Sequence, residues 1–172
     1  MGHEQPRTGL IMANLVLGSN GASTLGGRSA PLSSGIDRGR FHALRGSADY
    51  IVIGGNTARC EPYEKTPCPL IIATRTMEMG RARENPLAQM DSRPIETILS
   101  ELRADGQRAL IEAGVSLLHI AIQTGLVDEF YLTLSTVEGD GNFFNRNVLE
   151  ESFALTSEEI LNDEGFQLWT KR

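Results

Sequence analysis

Five apolar stretches recur along the chain: GLIMANLVL at 9–17, ADYIVIGG at 48–55, PLIIATRT at 69–76, RALIEAG at 108–114 and VDEFYLTLST at 127–136. The first two are apolar residue after residue rather than alternately, the pattern of strands buried on both faces. Such strands need a layer on either side. Ser33 or Ser34 can cap a helix from about Ile36 to Arg45, with Phe41 and Leu44 inward and Arg38, His42 and Arg45 on another face. Pro94 opens a second helix with Ile95, Ile98, Leu99 and Leu102 at helical spacing, and Gly106 follows its end. SLLHIAIQTG reads as a third, short helix with a glycine stop. Strands alternating with helices predict an α/β fold with a mainly parallel central sheet flanked by helices. The last segment, ESFALTSEEILNDEGFQLWTKR, predicts a C-terminal antiparallel hairpin of FALT and FQLW around an Asp-Glu-Gly turn. NTARCEPYEKTPCP reads as turns, and residues 77–93 show no clean period.

At 172 residues the chain is expected to be a single domain, 1–172, with residues 1–8 flexible. That length buries enough surface to hold a core without a disulfide or a structural metal. Cys60 and Cys68 lack metal-ligand spacing and are expected as free thiols. MGHEQPRTG has no apolar core of a signal peptide, and no apolar run reaches membrane-spanning length, so a cytoplasmic protein is expected. A net charge of −6 argues against nucleic-acid or membrane-surface partners. Of the sixteen basic residues only Lys65 and Lys171 are lysines. Arginine suits planar, bidentate contact with phosphate, although codon bias gives the same count.

Ligands of open α/β sheets bind beyond the carboxyl ends of the strands. Three such ends are unusual here. After Val16 comes a loop of small residues, GSNGASTLGGRSAPLSS, either an idle linker or a segment that closes over something. IGGNT and IEAGVS each place glycine and a hydroxyl between a strand and a helix, which is either a tight turn or a set of bare amides offered to a diphosphate. Gly54, Gly55 and Gly114 are the glycines concerned. Glu112 ends its strand toward the same crevice, where it can accept hydrogen bonds or move a proton. Thr74 and Arg75 end the third strand, a hydroxyl and guanidinium suited to an isolated phosphate or simply solvated. His3, His42 and His119 have no metal spacing, so no metal site is expected, and His119 reads as packed. There is no G-x-G-x-x-G fingerprint and no G-x-S-x-G elbow.

Taken together these segments resemble the reductase domain of riboflavin biosynthesis, in the dihydrofolate reductase-like superfamily. ANLVLGSNGASTLGGRSAPLSS resembles the family's A-N-F-V-x-S-L-D-G-A-A-T-x-D-G-R-S-G-G-L-S-S at Ala13, Asn14, Val16, Gly21, Ala22, Thr24, Gly27, Arg28, Ser29, Leu32, Ser33 and Ser34. HALRGSADYIVIGG, GGNTARCE, EAGVSLL and TGLVDEF follow in the family's order. The resemblance implies an NADPH-dependent reductase acting on 5-amino-6-(5-phosphoribosylamino)uracil, and a homodimer. It implies that Leu17, Pro31, Thr57, Glu61, Gly114, Val115, Ser116, Leu117 and Leu118 line the NADPH site. Ser29, Arg45 and Glu112 would face the substrate, Arg45 meeting its ribose phosphate, and the small-residue loop would pack over nicotinamide and substrate together. Asn20 stands at a catalytic position where the family has aspartate, Ala113 and Val115 replace Gly and Pro, and the segment 77–93 is short where the family has further strand structure. These departures keep two alternatives open: a related reductase with another small substrate, or a non-catalytic nucleotide-binding module.

Overall fold

The computed structural model describes residues 8–76 and 78–172, so the expectation for the N-terminal residues lies, apart from Thr8, outside them. Eight strands form one sheet: β1 Leu10–Leu17, β3 Tyr50–Gly54, β4 Leu70–Ala73, β5 Ala88–Asp91, β6 Arg108–Ile111, β7 Glu129–Leu134, β9 Phe153–Leu161 and β10 Glu164–Lys171. Two short strands, β2 Ala22–Thr24 and β8 Gly141–Phe143, pair as a separate ribbon. The order across the sheet is β5-β4-β3-β6-β1-β7-β10-β9. All pairings from β5 to β7 are parallel, and β10 runs antiparallel to both its neighbours, β7 and β9. The mainly parallel sheet with an antiparallel end is therefore present.

Each buried strand sends alternate residues to opposite layers. Ile11, Ala13, Leu15 and Leu17 of β1 join Val52, Ile71, Ala109 and Ile111 beneath α3 (Ile95–Ala104) and α4 (Val115–Gln123). Ile98 and Leu99 of α3 and Leu118 and Ala121 of α4 meet them there, the inward face that the helical spacing of α3 predicts. On the opposite layer Ile51, Ile53, Leu70 and Ile72 pack with Ala58, Tyr63 and Ala82. Ala58 belongs to a short helix, α2 (Gly55–Cys60), formed where the sequence reads as turns.

The first helix, α1, spans Gly35–Ser47, and Ser34 caps it by accepting the Asp37 amide at 3.1 Å. Its interior is not apolar. Asp37 is its one buried residue, and Phe41 and Leu44 are half-buried.

Other elements also differ from the sequence expectation. The hairpin turn is Asn162-Asp163, both left-handed at φ 51° and 65°, and Glu164 and Gly165 already belong to β10. Two residues with positive φ are what a two-residue hairpin requires, because that turn's twist matches the strands. Apart from Met77, the segment without a clean period holds a 3₁₀ turn (Gly80–Glu84) and β5, so a strand is present within it. An edge strand pairs on one side only, which lets AQMD serve without an apolar pattern. A further short helix, α5 (Asn147–Ser152), buries Leu149.

Candidate active site

Strand order decides which loops meet. The chain leaves β1, forms β3 two places away, and later inserts β6 between them. The carboxyl ends of β3, β6 and β1 thereby become neighbours, and their three loops enclose one cavity of about 620 Å³. That volume lies in the range of small-molecule sites. Its walls include Gly54, Gly55 and Thr57 after β3, Glu112 to Leu117 after β6, and Ser23, Thr24, Gly27 and Ser29 after β1. Arg38, Phe41 and Arg45 of α1 form a further side.

The glycine junctions are not alike. A Cβ on Gly54 would lie 3.2 Å from Leu117 Cδ2, and one on Gly55 would lie 2.7 Å from Thr74 Oγ1, so both bare positions are explained by packing. At Gly114 a Cβ would find only Thr57 Oγ1, at 3.7 Å. Its lack of a side chain keeps the cavity open rather than relieving a clash. The Thr57 hydroxyl accepts the Gly114 amide at 3.1 Å and so ties the start of α4 to α2. α4 has no side-chain cap, and its first amides are left to the cavity rim.

The floor is polar and closed. Arg45 donates from Nε and Nη2 to Glu112 Oε1 and Oε2 at 2.8 and 2.7 Å, and Tyr63 donates its hydroxyl to Glu112 Oε2 at 2.6 Å. The Phe41 ring lies 4.2 Å from the Arg45 guanidinium carbon and the Tyr63 ring 5.2 Å. The paired side chains of Arg45 and Glu112 are only 13% and 3% exposed. Burial pushes the Tyr63 pKa well up, and the Glu112 charge adds to the effect, so Tyr63 remains a hydroxyl donor. Burial alone would lower the Arg45 pKa, but the Glu112 hydrogen bonds and charge outweigh it and raise it. Cys68 nearby is raised, first by burial and then by Glu112. Glu112 thereby accepts three hydrogen bonds from side chains.

The loop after β1 is fastened at several points. Glu61, directly after α2, accepts the Ser29 amide at 2.7 Å across the cavity mouth. Asp140 accepts the Gly26 amide with both carboxylate oxygens, at 3.1 and 3.0 Å. The β2–β8 ribbon adds Ser23, whose hydroxyl donates to the Asn142 carbonyl at 2.7 Å.

Of the residues singled out from sequence, Ser29, Arg45, Gly54, Gly55, Thr57, Glu61, Glu112, Gly114, Val115, Ser116 and Leu117 share this cavity. Others do not line it. Leu17 and Leu118 point into the core and are fully buried, as strand alternation and helix phase dictate. Pro31 lies on a second, smaller cavity beside the start of α1. Thr74 packs against Gly55 from outside and bonds Thr76, while Arg75 is exposed. Asn20 does not line the cavity either: its amide donates to the Gly139 carbonyl at 2.8 Å and accepts the amides of Gly139 and Ala22 at 3.1 and 3.3 Å, so it braces two loops.

Tyr63, Phe41 and Arg38 also line the cavity and were not singled out for it from sequence. An aromatic residue inside the turn-rich stretch EPYEK is the signal that could have found Tyr63. The expected grouping of α1 also changes: Arg38, Phe41 and Arg45 share the cavity face, and His42 is exposed. His119 is packed as expected, stacked on Phe144 at 5.1 Å.

No protein-family model matches the chain, and no curated protein matches it in sequence. Solved structures do match. A pyrimidine reductase-like protein from Corynebacterium diphtheriae superposes with a TM-score of 0.71 at 19% identity, covering 95% of this chain and 92% of that one. Dihydrofolate reductase from Enterococcus faecalis, complexed with NADP(H), gives 0.68 at 16% identity, covering 95% and 96%. RibD from Acinetobacter baumannii gives 0.70 at 13% identity, and there the match covers 96% of this chain but 58% of that one. The fold is dihydrofolate reductase-like. Among the described residues no helix is long and apolar enough to cross a membrane, and no group of acidic, His or Cys side chains could hold a metal ion.

Proposed function

We propose that the protein is a nicotinamide-dependent reductase of a small molecule, with NADPH as the cofactor and 5-amino-6-(5-phosphoribosylamino)uracil as the substrate to test first. The observation that carries this reading is the Gly114 junction: an open, uncapped helix start with room beside it, tied by Thr57 to a second glycine-floored strand end. The residues present fit a dinucleotide there, since backbone amides without a Cβ in front of them suit a diphosphate. Gly114, Val115, Ser116 and Leu117 would hold it from α4, with Gly54, Gly55 and Thr57 opposite. When bound, the cofactor supplies the hydride.

The chain's own residues would do the rest. Arg45, Glu112 and Tyr63 form a floor whose hydrogen bonds are made before any ligand arrives, so it needs no reordering on binding. Ser29 gives its amide to Glu61, and its hydroxyl remains to orient a substrate. Glu61 and Asp140 hold the loop after β1 against the cavity, a closure that keeps water from the reacting groups. In this reading Glu112 acts by orientation, and Asn20 acts by bracing the loop.

The engagement of Arg45 by Glu112 favours a second reading, a reductase of the same kind with another small substrate, because that guanidinium is not waiting for a phosphate. A homodimer is part of the proposal. β9 leaves one edge of the sheet open and exposes Leu155 and Ile160, and sedimentation would read the mass directly.

Titration calorimetry with NADPH tests the cofactor. Gly114→Val should weaken binding about tenfold or more at unchanged melting temperature, because the added side chain enters the cavity and meets only Thr57. No heat with NADPH or NADH at millimolar concentration would remove the reductase reading. Oxidation of NADPH followed with the pyrimidine, and then with other carbonyl or imine compounds, decides between the two substrates.

A further inference from the structure

We propose that Arg38, and not Arg45, receives the anionic group of the small molecule that fills the α1 side of the cavity. The assignment rests on the reductase reading for which side is the substrate's.

Among the described residues two cationic side chains line the cavity, Arg38 and Arg45. Arg45 is half-buried and already paired. One edge of its guanidinium is bidentate with Glu112, and Phe41 and Tyr63 lie against it at 4.2 and 5.2 Å. An anion that recruited the Nε and Nη2 donors of Arg45 would have to strip them from a carboxylate only 3% exposed, leaving Glu112 with Tyr63 alone. Removing one partner from a buried pair is strongly unfavourable.

Arg38 is in the opposite condition. It is exposed at the mouth, on the same face of α1 as Phe41 and Arg45, and its side chain makes no hydrogen bond or ion pair among the described residues. The acids nearest in the chain or the cavity are already engaged: Asp37 accepts the Ser33 hydroxyl, and Glu61 accepts the Ser29 amide. A guanidinium with its donors unspent matches a phosphate or a carboxylate in a planar, two-point contact. Seven residues of helix separate Arg38 from Arg45, about 10 Å along the axis at 1.5 Å per residue. The ligand is therefore elongated, with a neutral end over the Arg45–Glu112–Tyr63 floor and its anion at the mouth.

The test titrates ribose 5-phosphate, ribonate and ribose into the protein, with and without NADPH. One of the two anions should bind, and which one distinguishes phosphate from carboxylate. Arg38→Gln should weaken that anion about tenfold or more, while the NADPH dissociation constant stays within about twofold. Arg45→Gln should instead lower the melting temperature by several degrees. The assignment is overturned if neither anion binds, if Arg38→Gln binds it as tightly as the parent, or if Arg45→Gln keeps its melting temperature and loses the anion. The titration without NADPH decides Arg38 by itself, and the NADPH titration separately decides the reductase reading.

Discussion

The two layers that flank the sheet are built on different principles. The layer of α3 and α4 is an apolar contact, in which Ile95, Ile98, Leu99 and Leu102 of α3 close over the Ile11, Ala13, Leu15 and Leu17 row of β1. The layer of α1 buries only Asp37 from thirteen helical residues and reaches the sheet through the Arg45–Glu112–Tyr63 cluster and the stacked Phe41. Apolar packing tolerates small shifts and leaves no opening. A charged pair with fixed geometry holds one helix at one distance and leaves room beside it, and the cavity opens between α1 and the start of α4. Both layers contribute apolar contacts, and the site opens where α1 reaches the sheet through charge.

Substitutions can break this contrast, beginning with the largest effect. Glu112→Ala leaves the Arg45 charge and the Tyr63 hydroxyl buried without a partner and should destabilise by about 3–5 kcal/mol in denaturant unfolding. The same change should disturb ligand binding in the cavity. Leu99→Ala opens a void beneath α3 and should cost about 2–5 kcal/mol, while ligand dissociation constants measured well below its melting temperature stay as in the parent. Equal loss of binding in both variants would dissolve the distinction between the layers. Tyr63→Phe removes one donor and leaves the bidentate pair, for about 1.5–3 kcal/mol by thermal unfolding. Asn20→Asp sharpens the contrast from the loop side: a carboxylate cannot donate to the Gly139 carbonyl, so a loss of about 1 kcal/mol is expected, with no gain in reductase turnover. A faster enzyme would return residue 20 to the chemistry.

Much of the layered fold was legible because long strands and α3 carry their own periodicity. The elements that were missed are short. β2 and β8 have three residues each, α2 and α5 six each, and β5 four. Segments of that length have little intrinsic stability and are held by their neighbours, so their own sequence need not announce them. In the site, the glycines at three strand ends stood out as positions where the backbone is laid bare. Why each is glycine did not: Gly55 answers to Thr74, a side chain just past the end of β4, and Gly114 to open space. The resemblance marked Arg45 and Glu112 separately and could not show that each is the other's partner.

Local pattern by itself determined that strands buried on both faces alternate with helices, and that certain strands end in glycine and hydroxyl, since both properties lie within a few residues of chain. The tertiary structure alone decided that β6 enters between β3 and β1, which makes those ends adjacent. It also decided that Arg45 meets a carboxylate 67 residues away, while the Arg38 side chain at the mouth has no partner among the described residues. Charge and composition travel with a residue, but whether that charge is available depends on what the fold sets beside it.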